Sequence, residues 1–273
     1  MRAKRQLSMR PGSRLLLIAY GGNLEDVLLY RALSAVKNGF YIDIGANDPV
    51  EDSVTKLFYD RGWSGINIEP IGRFHEKLKQ QRPRDINLPI AASDISGTIT
   101  FNEMGGWAHG LSTIDQTVAN RQTERGLSHR SYQVTTETLT NICDRYKPTE
   151  IHFLKIDVEG AEGRVLRGLD LQRYRPWIIL AEVNGGGVPD WEELLVRSRY
   201  KHVHSDIANR YYVALEHPDL ENAFLFPVDA YQRYSRKDIE DALLFRHKPL
   251  RWLTNHLKQG AKYLVRRFRS SAA

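Results

Sequence analysis

The sequence predicts an α/β fold built on a mostly parallel, doubly wound sheet. Short apolar runs alternate along the chain with stretches of helical periodicity, the pattern left by successive βαβ units. Several of these runs end in an acid, a serine or a glycine, as strands do where they open onto a ligand-binding edge. Neither an internal repeat nor a low-complexity segment interrupts the alternation.

Taken in order, Leu24, Val27, Leu28 and Leu33 recur at helical spacing and predict a helix over 24–36, with Asn23 as its N-cap. Phe40–Ile44 reads as a strand ending at Gly45. A helix over 53–61 stops at Gly62, and a strand over 66–68 ends at Glu69-Pro70. Gly72–Gln81 reads as a helix that breaks before Pro83, and 88–92 as a third strand. A strand at 98–101 leads into a long polar stretch over 102–130 with glycines at 105, 106, 110 and 126. Loops of that length carry function or are disordered. Residues 132–135 read as extended, Leu139–Tyr146 as a helix, and 151–156 as a buried strand with Asp157 at its end. A helix at 161–169, a buried strand at 177–183, a helix at 191–197 and a closing strand at 210–215 complete the series. The expected organisation is a basic extension at 1–19, a catalytic domain at 20–216 and a C-terminal extension at 217–273.

Charge narrows the function. The net charge of the 273 residues is +6, but it sits at the ends. Residues 1–14 carry five basic side chains and no acid, and 242–273 carry eight and no acid. The body between them is acidic, which argues against a nucleic-acid enzyme. Cys143 is the only cysteine, so no internal disulfide or cysteine metal cluster can form, and a cytoplasmic location is expected. No apolar run approaches the ~20 residues of a membrane span, and 15–19 is too brief for a signal-peptide core. The stretch 243–268 sets Leu250, Leu253, Leu257, Tyr263 and Leu264 among basic residues. That pattern offers peripheral contact with an anionic membrane, against a solvated tail as the plainer reading.

Four sites at strand ends carry chemistry. In Asp43-Ile44-Gly45-Ala46-Asn47 a single glycine turns the chain and acids flank it. A pyrophosphate turn needs G-x-G-x-x-G and no acids. This turn suits a ligand with cationic groups, such as the ammonium and sulfonium of S-adenosylmethionine (SAM). Glu69 lies 26 residues after Asp43, placed to accept ribose hydroxyls as the acid of dinucleotide folds does. Ser93 and Asp94 follow the third strand, and Asp94 can accept from the exocyclic amine of adenine. A polar turn cap is the plainer alternative. Last comes Phe153-Leu154-Lys155-Ile156-Asp157-Val158-Glu159-Gly160-Ala161-Glu162. Here Asp157 ends a buried strand, Lys155 faces away from Ile156 toward an acid, and Glu159 and Glu162 suit a helix N-terminus.

With Tyr41–Asn47, Ile68-Glu69-Pro70, Ala91-Ala92-Ser93-Asp94 and Phe153–Glu162 in this order, the chain resembles the FkbM-type SAM-dependent methyltransferases over about residues 20–185. The resemblance implies a class I, Rossmann-like methyltransferase fold and O-methylation of natural products or glycans. It places Asp43, Gly45 and Asn47 at the methionine end of SAM, Glu69 at the ribose, and Ser93 and Asp94 at the adenine. Gly22–Asp26 looks like the start of the family's N-terminal helix, which can fold over the cofactor. Where family members often continue the first turn with Gly-Xaa-Xaa-Ser, this chain has Asp48-Pro49-Val50-Glu51-Asp52-Ser53. That variant resembles a subgroup found beside glycan-assembly enzymes and favours a sugar acceptor, in a glycan or lipo-oligosaccharide such as a fucosylated one.

The acceptor site is expected within 104–130, where Trp107 offers either a stacking face for a sugar or a buried anchor. A sugar hydroxyl is a weak acid and needs help to lose its proton. Either His109 is the general base, or Asp157, Glu182 and Asn184 hold a divalent cation; the metal-free arrangement is preferred. Asp157 is a candidate catalytic residue in both. His202 and His204 share one side of a strand-like stretch without a third ligand. The competing functions are a nicotinamide-dependent oxidoreductase, which the missing glycines disfavour, and a non-catalytic glycan- or membrane-binding module.

Overall fold

The computed structural model describes residues 17–183, 187–226, 228 and 234–236. Contacts divide the chain into two units, Tyr20–Tyr231 and a second made of Met1–Ala19 with Gln232–Ala273. Both basic ends, 1–14 and 242–273, lie outside the described residues, as does Asn184. In the second unit, strand β1 (Leu17–Ala19) pairs in parallel with Tyr234–Arg236.

The large unit begins with α1 (Glu25–Leu33), which buries Val27, Leu28, Leu29 and Leu33 as its spacing requires. Asn23 does not cap it. Leu24 occupies the cap position in a left-handed conformation, φ +65°, and the Asn23 N–H donates to Glu25 Oε2 at 2.9 Å. There follow β2 (Phe40–Ile44), α2 (Lys56–Asp60), β3 (Ser64–Ile68), α3 (Gly72–Gln81) and β4 (Ile86–Leu88). The run expected as one strand over 88–92 is split. Ile86–Leu88 joins the main sheet, and β5 (Ala91–Ala92) belongs to a smaller one.

The polar stretch 102–130 is folded rather than a loop. It holds the end of β6 (Gly97–Met104), a 3-10 turn (Gly106–Leu111), α4 (Gln116–Glu124) and the start of β7 (His129–Glu137). Met104, Ala108 and Ala119 give it a small core of its own. Asp115 caps α4 by accepting from the N–H groups of Thr117 and Val118. Beyond it run α5 (Leu139–Tyr146), β8 (Phe153–Ile156), α6 (Glu162–Arg167), β9 (Ile178–Glu182), α7 (Glu192–Arg197), β10 (Tyr200–Ser205) and β11 (Asn209–Ala214).

The main sheet has seven strands in the order β10-β11-β9-β8-β2-β3-β4. All run parallel except β11, which is antiparallel to both its neighbours. This is the mostly parallel, doubly wound α/β sheet that the alternation predicts. On one face its central strands are wholly apolar, whereas Asp43, Asn67 and Lys155, in register with one another, stand on the other. Ile42, Ile44, Ile66, Ile68, Leu154, Ile156, Ile179 and Ala181 are fully or almost fully buried. The smaller sheet, β5-β7-β6, packs Ala91, Phe101 and Val134 with Ile71 and Phe74 around the start of α3.

One histidine reading changes. A bulge in β10 pairs His202 with Tyr212 but His204 with Tyr211. Consecutive strand residues face opposite ways, so the two histidines stack on different faces of the sheet and cannot share a metal. His152 accepts from the Phe40 N–H at 3.0 Å, between the rings of Trp63 and Trp177, as a packing residue.

Candidate active site

Chain order reverses between β2 and β8. From β2 the chain winds to β3 and β4 on one side, and β8 begins the other. Ligands bind in the crevice that opens outside the carboxyl ends of strands at such a point. Gly45 turns the chain there at φ +75°. Its N–H and that of Ala46 donate to Ile68 O at 3.0 and 3.2 Å. A Cβ on Gly45 would stand 1.9 Å from Asp157 O, so the residue meets both a left-handed turn and a close approach. Asn47 follows at φ +49°, a conformation asparagine tolerates better than most residues.

Glu69 has a structural task that its sequence position did not reveal. Its Oε2 accepts the Asn47 N–H at 2.8 Å and its Oε1 accepts the Ile71 N–H at 2.7 Å. It therefore ties the first turn to the start of α3. Burial pushes its pKa up to about 7 against these two donors. Each oxygen retains a second lone pair for a ligand hydroxyl.

Asp43 is buried beneath the turn. Thr55 Oγ1 donates to its Oδ2 at 2.8 Å, and Lys155 Nζ stands 3.4 Å from its Oδ1. The same ammonium donates to Gly45 O at 2.9 Å and lies 3.2 Å from Asp157 Oδ2. One buried cation thus joins the ends of β2 and β8. Burial opposes its charge, but the carboxylates of Asp157 and Asp43 outweigh burial and hold its pKa above that of an ordinary lysine. Ser93, buried, donates to Asp94 Oδ1 at 3.0 Å, and Arg164 Nε donates to the same oxygen at 2.9 Å. Burial is outweighed there by the Arg164 and Ser93 bonds, which keep Asp94 below the usual carboxylate range. Asp94 is thereby fixed to α6.

Asp157, Glu159 and Glu182 each bring a carboxylate oxygen within 4.8 Å of the others. Burial, then the charges of Asp157 and Glu159, push the Glu182 pKa well up. Three such oxygens suit a hard divalent cation. Glu159, read from the sequence only as a helix-end acid, stands with Asp157 and Glu182 in this group. Its place follows from a left-handed turn, φ +55°. Glu162 does act as an end group. Its Oε1 accepts from the N–H groups of Val158 and Gly160 ahead of α6.

The segment before α4 bridges both walls of the crevice. A Cβ on Gly110 would lie 3.8 Å from Asn47 Nδ2, and Thr113 Oγ1 donates to Glu159 O at 2.8 Å. Trp107 on this segment is 78% exposed, so it anchors no core. His109 is half-buried, its ring 4.7 Å from that of Phe74. Burial and the charge of Arg73 lower its pKa. Among the described residues its buried Nδ1 has no hydrogen-bond partner, and neither does the buried Oδ1 of Asn47. The start of α1 closes the rim. Gly22 lies against Asp52, and Glu25 Oε1 accepts from Asn209 Nδ2 at 3.2 Å.

The Methyltransferase FkbM domain profile matches residues 43–207. The chain belongs to the FkbM methyltransferase family. A search of curated proteins returned no match. The FkbM match opens at Asp43, on the first wall of the crevice, and runs through every strand of the main sheet up to β10. Both α1 and β11 lie outside the match yet complete the rim and the sheet. Family membership makes the chain a methyltransferase and implies a methyl donor of the SAM type.

Proposed function

We propose that this FkbM methyltransferase uses SAM to methylate a sugar hydroxyl, in a glycan or lipo-oligosaccharide. The observation that carries the reading is one sheet edge that joins an acidic crevice to a turn bearing an exposed tryptophan. The donor side fits a cationic nucleoside. Gly45 lets the end of β8 close against the turn, the buried Asn47 Oδ1 awaits a donor, and Glu69 keeps lone pairs for ribose. Asp43 supports the turn through Thr55 and Lys155, and Ser93 and Asp94 flank the adenine side. When bound, SAM supplies an electrophilic methyl group on a positively charged sulfur. On the acceptor side Trp107 offers a flat apolar face to a sugar ring. His109, kept neutral at pH 7 by burial and the charge of Arg73, accepts the hydroxyl proton. Asp157 orients the reacting groups from the opposite wall.

Two supports are indirect. The basic charge of 242–273 favours work beside an anionic membrane carrying a lipid-linked acceptor. Among the described residues no helix is long and apolar enough to cross one. The free, buried Cys143 suits a cytoplasmic setting.

Titration calorimetry with SAM and with NAD tests the donor, since the oxidoreductase reading requires NAD to bind and SAM to fail. Glu69→Ala is expected to weaken SAM by about 1–3 kcal/mol, the cost of unpaired hydroxyl partners. Equal affinity in the variant would remove Glu69 from the ribose site. A methyl-transfer screen with labelled SAM against fucosylated and other glycans, read by mass, tests the acceptor.

A second arrangement has its own observation, the carboxylate group of Asp157, Glu159 and Glu182, which would hold a divalent cation against the hydroxyl. Turnover in EDTA separates the two. With His109 as base, activity survives EDTA and His109→Ala loses about 10²–10⁴-fold. A base works only when unprotonated, so kcat should fall as pH drops through a value below the ordinary histidine pKa of ~6.5. Loss of all activity in EDTA, restored by Mg²⁺, with near-normal His109→Ala turnover, would assign the proton step to the metal.

A further inference from the structure

The turn after β2 lacks the second and third glycines that shape most nucleotide-binding turns. In their place stand Asp48-Pro49-Val50-Glu51-Asp52-Ser53. Two residues of this stretch and its approach, Asn47 and Asp52, take left-handed conformations without being glycine, at φ +49° and +53°. Such conformations persist only where the surroundings over-determine them. From above, Asp48 Oδ1 accepts the Val50 and Glu51 N–H groups at 3.0 and 3.1 Å, and its Oδ2 accepts from Lys77 Nζ at 2.6 Å.

From below, the determinant is Arg82, at the C-terminal end of α3 and fully buried. Its Nη2 donates to Pro49 O at 2.6 Å and to Ser53 Oγ at 2.9 Å. Its Nη1 donates to Thr55 Oγ1 at 3.3 Å and to Tyr41 OH at 3.2 Å. Thr55 Oγ1 in turn donates to Asp43 Oδ2 at 2.8 Å. Asp85, at 3.9 Å, is the nearest counter-charge and makes no bidentate pair with it. Most of the guanidinium's hydrogen bonds are therefore spent on the turn, at three points across residues 49–55. A buried guanidinium is costly unless its donors are satisfied. Here the satisfaction of both Nη groups and the shape of the turn are one condition, while the buried Nε has no partner among the described residues.

We infer that Arg82 is a positioning residue: its guanidinium holds residues 47–55 in the shape that receives SAM, the task glycines perform in related turns. The inference rests on the proposed SAM site. Its effect reaches the crevice by two routes, through Pro49 and Ser53 to the outer turn, and through Thr55 to Asp43.

The test pairs hydrogen exchange of the ligand-free protein with SAM titration and steady-state kinetics, on Arg82→Met, Ser53→Ala and Thr55→Val. Amides of 47–55 should exchange faster in each variant, while those of α5, remote from the clamp, keep their protection. The KM and dissociation constant for SAM should rise about tenfold per lost bond while kcat stays within about twofold. Should Arg82→Met fail to fold, Ser53→Ala and Thr55→Val, which each remove one partner, carry the decision. Unchanged exchange across 47–55 overturns the clamp whatever happens to SAM. Faster exchange with unchanged SAM affinity also overturns it, since the turn would then be held without consequence for the ligand. A wild-type protein that takes no SAM overturns the proposed function instead, and exchange still decides whether Arg82 shapes the turn.

Discussion

Gly45→Ala should abolish SAM binding and destabilise the fold by about 3–5 kcal/mol, at the upper end of single substitutions. Two costs add at this position. The backbone sits at φ +75°, where an L side chain costs about 1–2 kcal/mol. The added Cβ would stand 1.9 Å from Asp157 O, a backbone atom that cannot rotate away. Relief requires the ends of β2 and β8 to separate. That breaks the 3.1 Å bond from Asp157 N–H to Ile44 O and shifts the Gly45 carbonyl held by Lys155 at 2.9 Å. Gly62 provides the control. It sits at φ +91°, and a Cβ there would meet nothing within 4 Å, so Gly62→Ala should show the conformational cost alone. Urea midpoints of the two variants measure the difference. Equal losses would mean that the close approach of β8 to the turn contributes nothing.

The strand ends that build the crevice were legible because they are bounded by abrupt changes in polarity. Ile42 and Ile44, Ile66 and Ile68, and Leu154 and Ile156 are apolar because they share one buried face of the sheet. The first polar residue after each run therefore marks the carboxyl edge. That logic located Glu69 and Asp157 at strand ends and Glu182 at the end of β9. It shortened both strands of the β6–β7 hairpin. Strand β7 has exposed positions at Arg130, Ser131, Gln133 and Thr135 and buries only Val134 and Thr136, so only 132–135 read as extended and its polar start was taken into the stretch before it. Arg82 was illegible for another reason. An arginine between a helix end and Pro83 ordinarily reads as solvated, and only the turn folded above it supplies acceptors for its donors. Glu159 joins Asp157 and Glu182 only because its backbone turns left-handed, which no side-chain pattern announces. Likewise the single extra residue of the β10 bulge reverses the facing of His204, a change that spacing alone cannot foretell.

Lys155→Met should cost about 3–5 kcal/mol, the usual loss when one partner of a buried charge group is removed. Methionine nearly matches the volume of the lysine stem, so the loss reports charge and hydrogen bonding rather than a cavity. The ammonium serves Asp43, Asp157 and Gly45 O together. Without it Asp43, 1% exposed, keeps only the Thr55 hydroxyl. The folded pKa of Lys155 is raised, so its contribution is complete below the ordinary lysine value and declines only as pH rises through the folded one. Measurements at pH 7 therefore read the whole effect. A double-mutant cycle isolates its cause. Asp43→Asn replaces the stranded carboxylate with a neutral amide that needs no counter-charge. In the Lys155→Met background it should recover much of the lost stability, although it is destabilising in the wild type, where it leaves the lysine short of an acid. Coupling of this sign and of about 1–3 kcal/mol is expected for residues in one network. Strictly additive losses would show that Lys155 does not hold Asp43 and acts through Asp157 and the Gly45 carbonyl alone.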